Sequence, residues 1–237
     1  MASGRLLRQW ASDLWSLIYP RVCEVCGTSL AHGEELMCLQ CRADMPLCDF
    51  HRQPFNHIHQ RLAGHVPIER AAGYFYYYRG SGYTRLIHAA KYGARPRIIR
   101  SLAADFSCMI SGDGFFDGVD VIEPVPLHIS KERARGYNQS RALAEAIGDV
   151  TGLPVGDHLE AGKKHATQTL RGAYSRWLNT RNVYRVTHGE ELAGRHVLVV
   201  DDVITTGATL LACCEALHRA VPDVTISVLA LAVARMD

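Results

Sequence analysis

Hydrophobic and polar positions along this chain follow two periods. Positions 197–200 (VLVV) form an unbroken apolar run, the pattern of a strand buried on both faces in a parallel sheet. Beyond them Leu210, Cys213, Cys214, Leu217 and Val221 recur at helical spacing. Residues 71–78 are aromatic and β-rich and predict another strand, as do residues 119–125 and 224–233. Residues 82–91, 96–109 and 138–150 predict helices, the last with Leu143, Ala144 and Ile147 on its apolar face. At the start of the chain Leu6, Leu7, Trp10, Leu14, Leu17 and Ile18 predict an amphipathic helix ended by Tyr19-Pro20. Strands alternating with helices predict an α/β protein, a parallel sheet flanked by helices.

The chemistry concentrates where the 197–200 strand ends. Asp201 and Asp202 are expected at its carboxyl end, where open α/β sheets place ligands. Thr205, Thr206, Gly207, Ala208 and Thr209 follow, all small, just before the next helix. A helix amino terminus offers unpaired N–H groups and the positive end of its dipole, so a tight turn there can wrap a phosphate monoester. Gly207 permits close backbone approach, and the threonine hydroxyls add donors. Carboxylates beside it suit the vicinal hydroxyls of a sugar. Phosphate on one side and a diol on the other describe a ribose 5-phosphate. The plainer reading, an acidic turn with threonine as a helix cap, accounts for fewer of these coincident residues.

The rest of the composition narrows the setting. The 237 residues are 48% hydrophobic and 21% charged, enough for one sizeable core and a small appendage. Arg8 and Asp13 interrupt the amino-terminal apolar stretch, so neither a signal peptide nor membrane insertion is expected, and the cytoplasm is the expected location. A net charge of +2 argues against a surface devoted entirely to nucleic acid. Cations nevertheless cluster in two acid-free blocks, seven over residues 70–104 and six over 161–189, which suits a highly anionic ligand.

Cys23-x2-Cys26 and Cys38-x2-Cys41 form two CxxC pairs that can close around one Zn²⁺ as a structural site; disulfides are the competing reading. His32 and Cys48 are not assigned as ligands. Cys108, Cys213 and Cys214 are expected as buried apolar side chains on helices. Residues 50–65, with His51, His57, His59 and His65 at no regular spacing, are expected to be a connector. The expected organisation is an amino-terminal helix over 1–20, a zinc-ribbon-like module over 21–50 and a larger α/β domain over 51–237.

The turn from Asp201 to Thr209 resembles the phosphoribosyl pyrophosphate (PRPP) motif of type I phosphoribosyltransferases. In chain order, the paired CxxC motifs, Lys91-Tyr92-Gly93, Pro124-Val125-Pro126-Leu127-His128, Arg135-Gly136-Tyr137-Asn138-Gln139 and this turn resemble the ComF family, over about residues 20–235. These are bacterial phosphoribosyltransferase-like proteins linked to natural competence. Tyr137 stands where the family pattern has Phe.

The resemblance implies the type I phosphoribosyltransferase fold and binding of PRPP with Mg²⁺. Asp201 and Asp202 would hold the ribose, either also able to act as a base. Thr205, Thr206, Gly207, Ala208 and Thr209 would hold the 5-phosphate, and Val125, Pro126, Leu127 and His128 would form the pyrophosphate loop. Gln168, Arg176 and Asn179 would belong to a mobile loop closing over PRPP. Lys91, Arg135, Asn138 and Gln139 are further motif residues, and Cys23, Cys26, Cys38 and Cys41 the zinc ligands. Three functional readings follow: a phosphoribosyltransferase of unknown acceptor, a non-catalytic PRPP or nucleotide sensor, and an adaptor for imported single-stranded DNA working with competence-machinery proteins.

Overall fold

The structure, a computed structural model, describes residues 21–62, 64–78, 80–162 and 183–235. The expected helix over 1–20, the loop residues Gln168, Arg176 and Asn179, and most of the second basic block lie outside the described residues.

The helices are α1 (Leu39–Ala43), α2 (His57–Leu62), α3 (Tyr83–Tyr92), α4 (Pro96–Ser111), α5 (Ile129–Arg135), α6 (Gln139–Thr151) and α7 (Ala208–Ala220). The strands are β1 (Ala71–Tyr77), β2 (Val121–Pro124), β3 (Leu159–Ala161), β4 (Tyr184–Val186), β5 (His196–Ile204) and β6 (Thr225–Ala234). Four strands form one sheet in the order β1-β6-β5-β2, every pair parallel. β3 and β4 form a separate antiparallel pair.

Two apolar cores cover the two faces of this sheet, as expected of a parallel sheet. On one face Leu198, Val200, Leu229 and Leu231 pack with Leu86 and Ile87 of α3, Ile99, Leu102 and Phe106 of α4, and Leu143 and Ile147 of α6. On the other, Val197, Val199, Ile226 and Val228 meet Leu210, Cys213, Cys214 and Leu217 of α7, and Ile58 and Leu62 of α2. The cysteine module is continuous with the first core, through Cys23, Val25, Met37, Cys41 and Met45.

Both outer strands of the sheet are closed by irregular chain. Beside β2, Ile122 N–H donates to Pro154 O and Gly156 N–H to Ile122 O, both at 2.9 Å. Beside β1, Cys48 N–H donates to Tyr74 O at 2.9 Å and Tyr76 N–H to Pro46 O at 2.8 Å.

Several elements differ from expectation. The 197–200 strand runs on through both acids to Ile204, because pairing with β6 continues as far as Ile204–Val233. Residues within 50–65 are not a simple connector: a 3₁₀ turn (Phe50–Arg52) and α2 bury Phe50, Ile58, His59 and Leu62 against the sheet. Residues 129–135, for which no helix is predicted, form one, α5. Cys108 is exposed on α4, whereas Cys213 and Cys214 are buried on α7.

Glu123, wholly buried on β2, fastens the β3–β4 pair: His158 Nδ1 lies 2.5 Å from Glu123 Oε1, and His158 N–H donates to Glu123 Oε2 at 3.2 Å. Burial raises the Glu123 carboxyl above its ordinary value. The His158 imidazole is also raised, because two glutamates, Glu123 and Glu191, outweigh the effect of its burial.

Candidate sugar-phosphate site

A cleft of about 220 Å³ opens at the carboxyl ends of β2 and β5. It is lined by Val125, Pro126 and Leu127 after β2, by Asp201, Asp202, Thr205 and Thr209, and by Lys91, Arg135, Asn138 and Gln139. Thr206, Gly207 and Ala208 line a small adjoining hollow with Asp201, Thr205 and Thr209.

Adjacent strand residues ordinarily point to opposite faces, yet Asp201 and Asp202 both line the cleft. The alternation shifts at this point. Leu198 and Val200 belong to the first core and Val197 and Val199 to the second, but Val203 packs on the first and Ile204 in the second. The phase therefore slips by one residue across the acid pair, and Asp202 N–H turns to donate to Asp201 Oδ1 at 2.9 Å.

Ser140, at the start of α6, also donates its hydroxyl to Asp201 Oδ1, at 2.8 Å. Burial first, then the neighbouring Asp202 carboxylate, push the Asp201 carboxyl up to about 7, against the pull of these donors. Asp202 Oδ2 lies 3.1 Å from the Lys91 ammonium.

Gly207 has φ +83° and serves as the N-cap of α7, the left-handed conformation that glycine adopts without strain. The turn before it is gripped from behind: Arg61 of α2 donates Nη1 to Thr205 O at 2.6 Å and Nη2 to Ala234 O at 2.7 Å.

The Arg135-to-Gln139 motif ties the walls of the cleft together. Tyr137 Oη donates to Ala90 O at 2.8 Å and holds the end of α3. Asn138 caps α6 by accepting from Ser140 and Arg141 N–H, and its own amide donates to Val125 O at 3.1 Å. Arg135 Nη1 donates to Gln139 Oε1 at 2.8 Å. His128 is not among the lining residues; its ring caps α5 instead, accepting from Ser130 N–H. Among residues that were not singled out in the sequence, Ser140, Arg61 and Tyr184 belong to this assembly, Tyr184 lining the cleft with its hydroxyl titration raised by burial.

The cysteine cluster lies elsewhere. The Sγ atoms of Cys23, Cys26, Cys38 and Cys41 all lie within 4.8 Å of one another, Cys26 and Cys38 at 3.8 Å, and none is in a disulfide. Tetrahedral zinc thiolates place sulfurs about 3.8 Å apart, so the four fit a closed Zn²⁺ site. The Thr28 hydroxyl and amide bring the Cys26 thiol down to about 6. His32 and Cys48 stand outside this group.

Three of the seven cations of the first acid-free block are paired with acids from elsewhere in the chain. Arg95 pairs with Glu24, Arg100 with Glu145 and Asp149, and Lys91 with Asp202; Arg70 donates to the Phe115 and Asp117 carbonyls. Among the described residues, no helix is long and apolar enough to cross a membrane.

Residues 144–235, from α6 to the end of β6, match the phosphoribosyl transferase domain family. The Escherichia coli K12 protein named DNA utilization protein YhgH is 28% identical over 215 residues, which cover 86% of this chain and 93% of that protein. Competence protein F of Haemophilus influenzae is 37% identical over 94 residues, 38% of this chain and 41% of that protein. Competence protein ComFC of Bacillus subtilis is 30% identical over 122 residues, 51% of this chain and 47% of that protein.

Proposed function

We propose, for this ComF-family chain with a phosphoribosyltransferase fold, that the cleft binds PRPP and that the protein serves the uptake or use of DNA. The observation that carries the reading is the pairing of two cleft-facing carboxylates with a threonine- and glycine-rich turn at the start of α7. In this reading the amides and hydroxyls of residues 205–209 take the 5-phosphate. Asp201 and Asp202 take the ribose hydroxyls, and the loop of Val125, Pro126 and Leu127 takes the pyrophosphate.

Transfer would break the bond from the anomeric carbon to pyrophosphate and form one to an incoming nucleophile. The chain's task is to position the sugar and balance charge as an oxocarbenium-like state develops beside the carboxylates. An acid titrating near 7 can take a proton from that nucleophile, which gives Asp201 a second role. The carboxylates of Asp201 and Asp202 offer oxygen ligands that would suit a hard cation such as Mg²⁺, which would supply charge neutralisation for the leaving group. Zn²⁺ on the four cysteines would be structural, since no coordination position stays open. The protein would work in the cytoplasm, where PRPP is made available by metabolism.

Calorimetric titration with PRPP, with and without Mg²⁺, tests the reading. Saturable binding is expected, abolished in an Asp201→Asn, Asp202→Asn double variant that keeps its fold. Unchanged affinity in that variant rejects the assignment. Incubating the wild type with PRPP and candidate bases or ammonia then separates a transferase from a sensor by whether pyrophosphate release depends on an acceptor.

A further inference from the structure

The geometry points to Lys91 as the internal cation of the cleft, one ammonium shared between the Asp202 carboxylate and an anionic oxygen of the incoming sugar diphosphate. This rests on the sugar-phosphate reading and adds to it a role for a residue outside both the acidic turn and the pyrophosphate loop.

Two adjacent carboxylates and a polyanion repel each other in a partly desolvated cleft. A cation within reach of both is needed if they are to share it. Lys91 meets that requirement in distance, burial and anchorage. Its Nζ lies 3.1 Å from Asp202 Oδ2, and its side chain is 19% exposed against 8% for Asp202. Among the described residues no hydrogen bond to Asp202 Oδ2 is found, and the ion pair with Lys91 is the compensation they offer that buried oxygen.

The helix end that carries Lys91 is fixed, because Tyr137 Oη donates to Ala90 O at 2.8 Å. An ammonium has three donors, and a pair with one carboxylate oxygen leaves others to turn toward the Val125, Pro126 and Leu127 side of the same cleft. Among the described residues two other cations line the cleft, and they are placed differently. Arg135 spends a guanidinium N–H on Gln139, and Lys131 is exposed on α5.

Two measurements on purified full-length protein test the role. In a thermal-unfolding cycle, Lys91→Met is expected to lower the midpoint, and adding Asp202→Asn to recover most of the loss, because the second change removes the uncompensated carboxylate. Additive effects of the two changes would overturn the pairing whatever the ligand.

In PRPP titrations, Lys91→Met is expected to weaken binding by at least about tenfold, with part of the loss recovered at saturating Mg²⁺, and Lys91→Arg to retain most of the wild-type affinity. Recovery by Mg²⁺ and by arginine reports charge rather than shape. PRPP affinity unchanged in Lys91→Met would overturn the inference, as would an equal loss in Lys91→Arg that Mg²⁺ does not touch. Failure of the wild type itself to bind PRPP would instead reject the proposed function and leave the result of the unfolding cycle standing.

Discussion

Asp201 is the residue whose ordinary behaviour is most altered by the fold. Its carboxyl titrates at about 7 in the folded chain, mainly because it is buried, against about 4 in an unfolded one. An acid raised in this way weakens folding: the cost is absent below about pH 4, grows as pH rises and is complete above about pH 7. Asp201→Asn keeps an oxygen to accept from Ser140 and from Asp202 N–H, so it should stabilise the ligand-free protein by at least about 1 kcal/mol at pH 8. Urea unfolding at pH 8 and pH 5 checks this, with the gain shrinking at the lower pH. Arg61 works in the opposite sense. Its two bonds to carbonyls join the threonine turn to the end of β6, and Arg61→Met should cost about 2–3 kcal/mol and weaken PRPP binding, measurable by urea unfolding and calorimetry. The acids, the threonines and the glycine could be recognised in the sequence because they are contiguous. Ser140 and Arg61 could not, since they lie 61 and 144 positions from the groups they hold, and nothing local marks a serine or an arginine as a partner.

Elements with a clear apolar period were legible: α3, α4, α6 and α7 fall within a few residues of their predicted spans, as do β1, β2 and β6. Those without one were not. α5 buries no residue, so its seven positions carry no hydrophobic stripe to detect. β3 and β4 are three residues each, too short for an alternation to stand out. β5 outruns its apolar stretch for a different reason: two acids interrupt the run, while the ladder to β6 continues through Asp201–Ala230 and Val203–Ala232. A buried pair, His158 with Glu123, fastens the β3–β4 ribbon to β2. His158→Ala would remove the ring facing Glu123 Oε1 in the core, leaving the backbone bond to Oε2, and should cost about 3 kcal/mol, whereas the double change with Glu123→Gln should cost less. Chemical denaturation of the two variants distinguishes these outcomes. Asn138→Ala removes both the cap of α6 and the tie to Val125, and a loss of about 1–2 kcal/mol is expected by the same measurement.

Across the whole molecule, the cysteine module and the sheet share one core, and α3 links them. Tyr83 at its start donates its hydroxyl to Cys41 O at 2.7 Å, and Lys91 near its end meets Asp202 at 3.1 Å. Replacing Cys38 and Cys41 by Ser should therefore release about one zinc per chain and lower both the unfolding midpoint and PRPP affinity, as metal analysis, calorimetry and a thermal scan would show. Full zinc retention would mean that the ligands are other residues. The closed borders of the sheet carry a consequence of another kind. With the row beside Ile122 taken by Pro154 and Gly156, and that beside β1 by Pro46 and Cys48, neither rim offers a free ladder to a visiting strand. A companion that docks against this sheet, a second copy included, therefore has to recognise side chains rather than extend its ladder, which makes such a contact dependent on residue identity rather than on backbone complementarity.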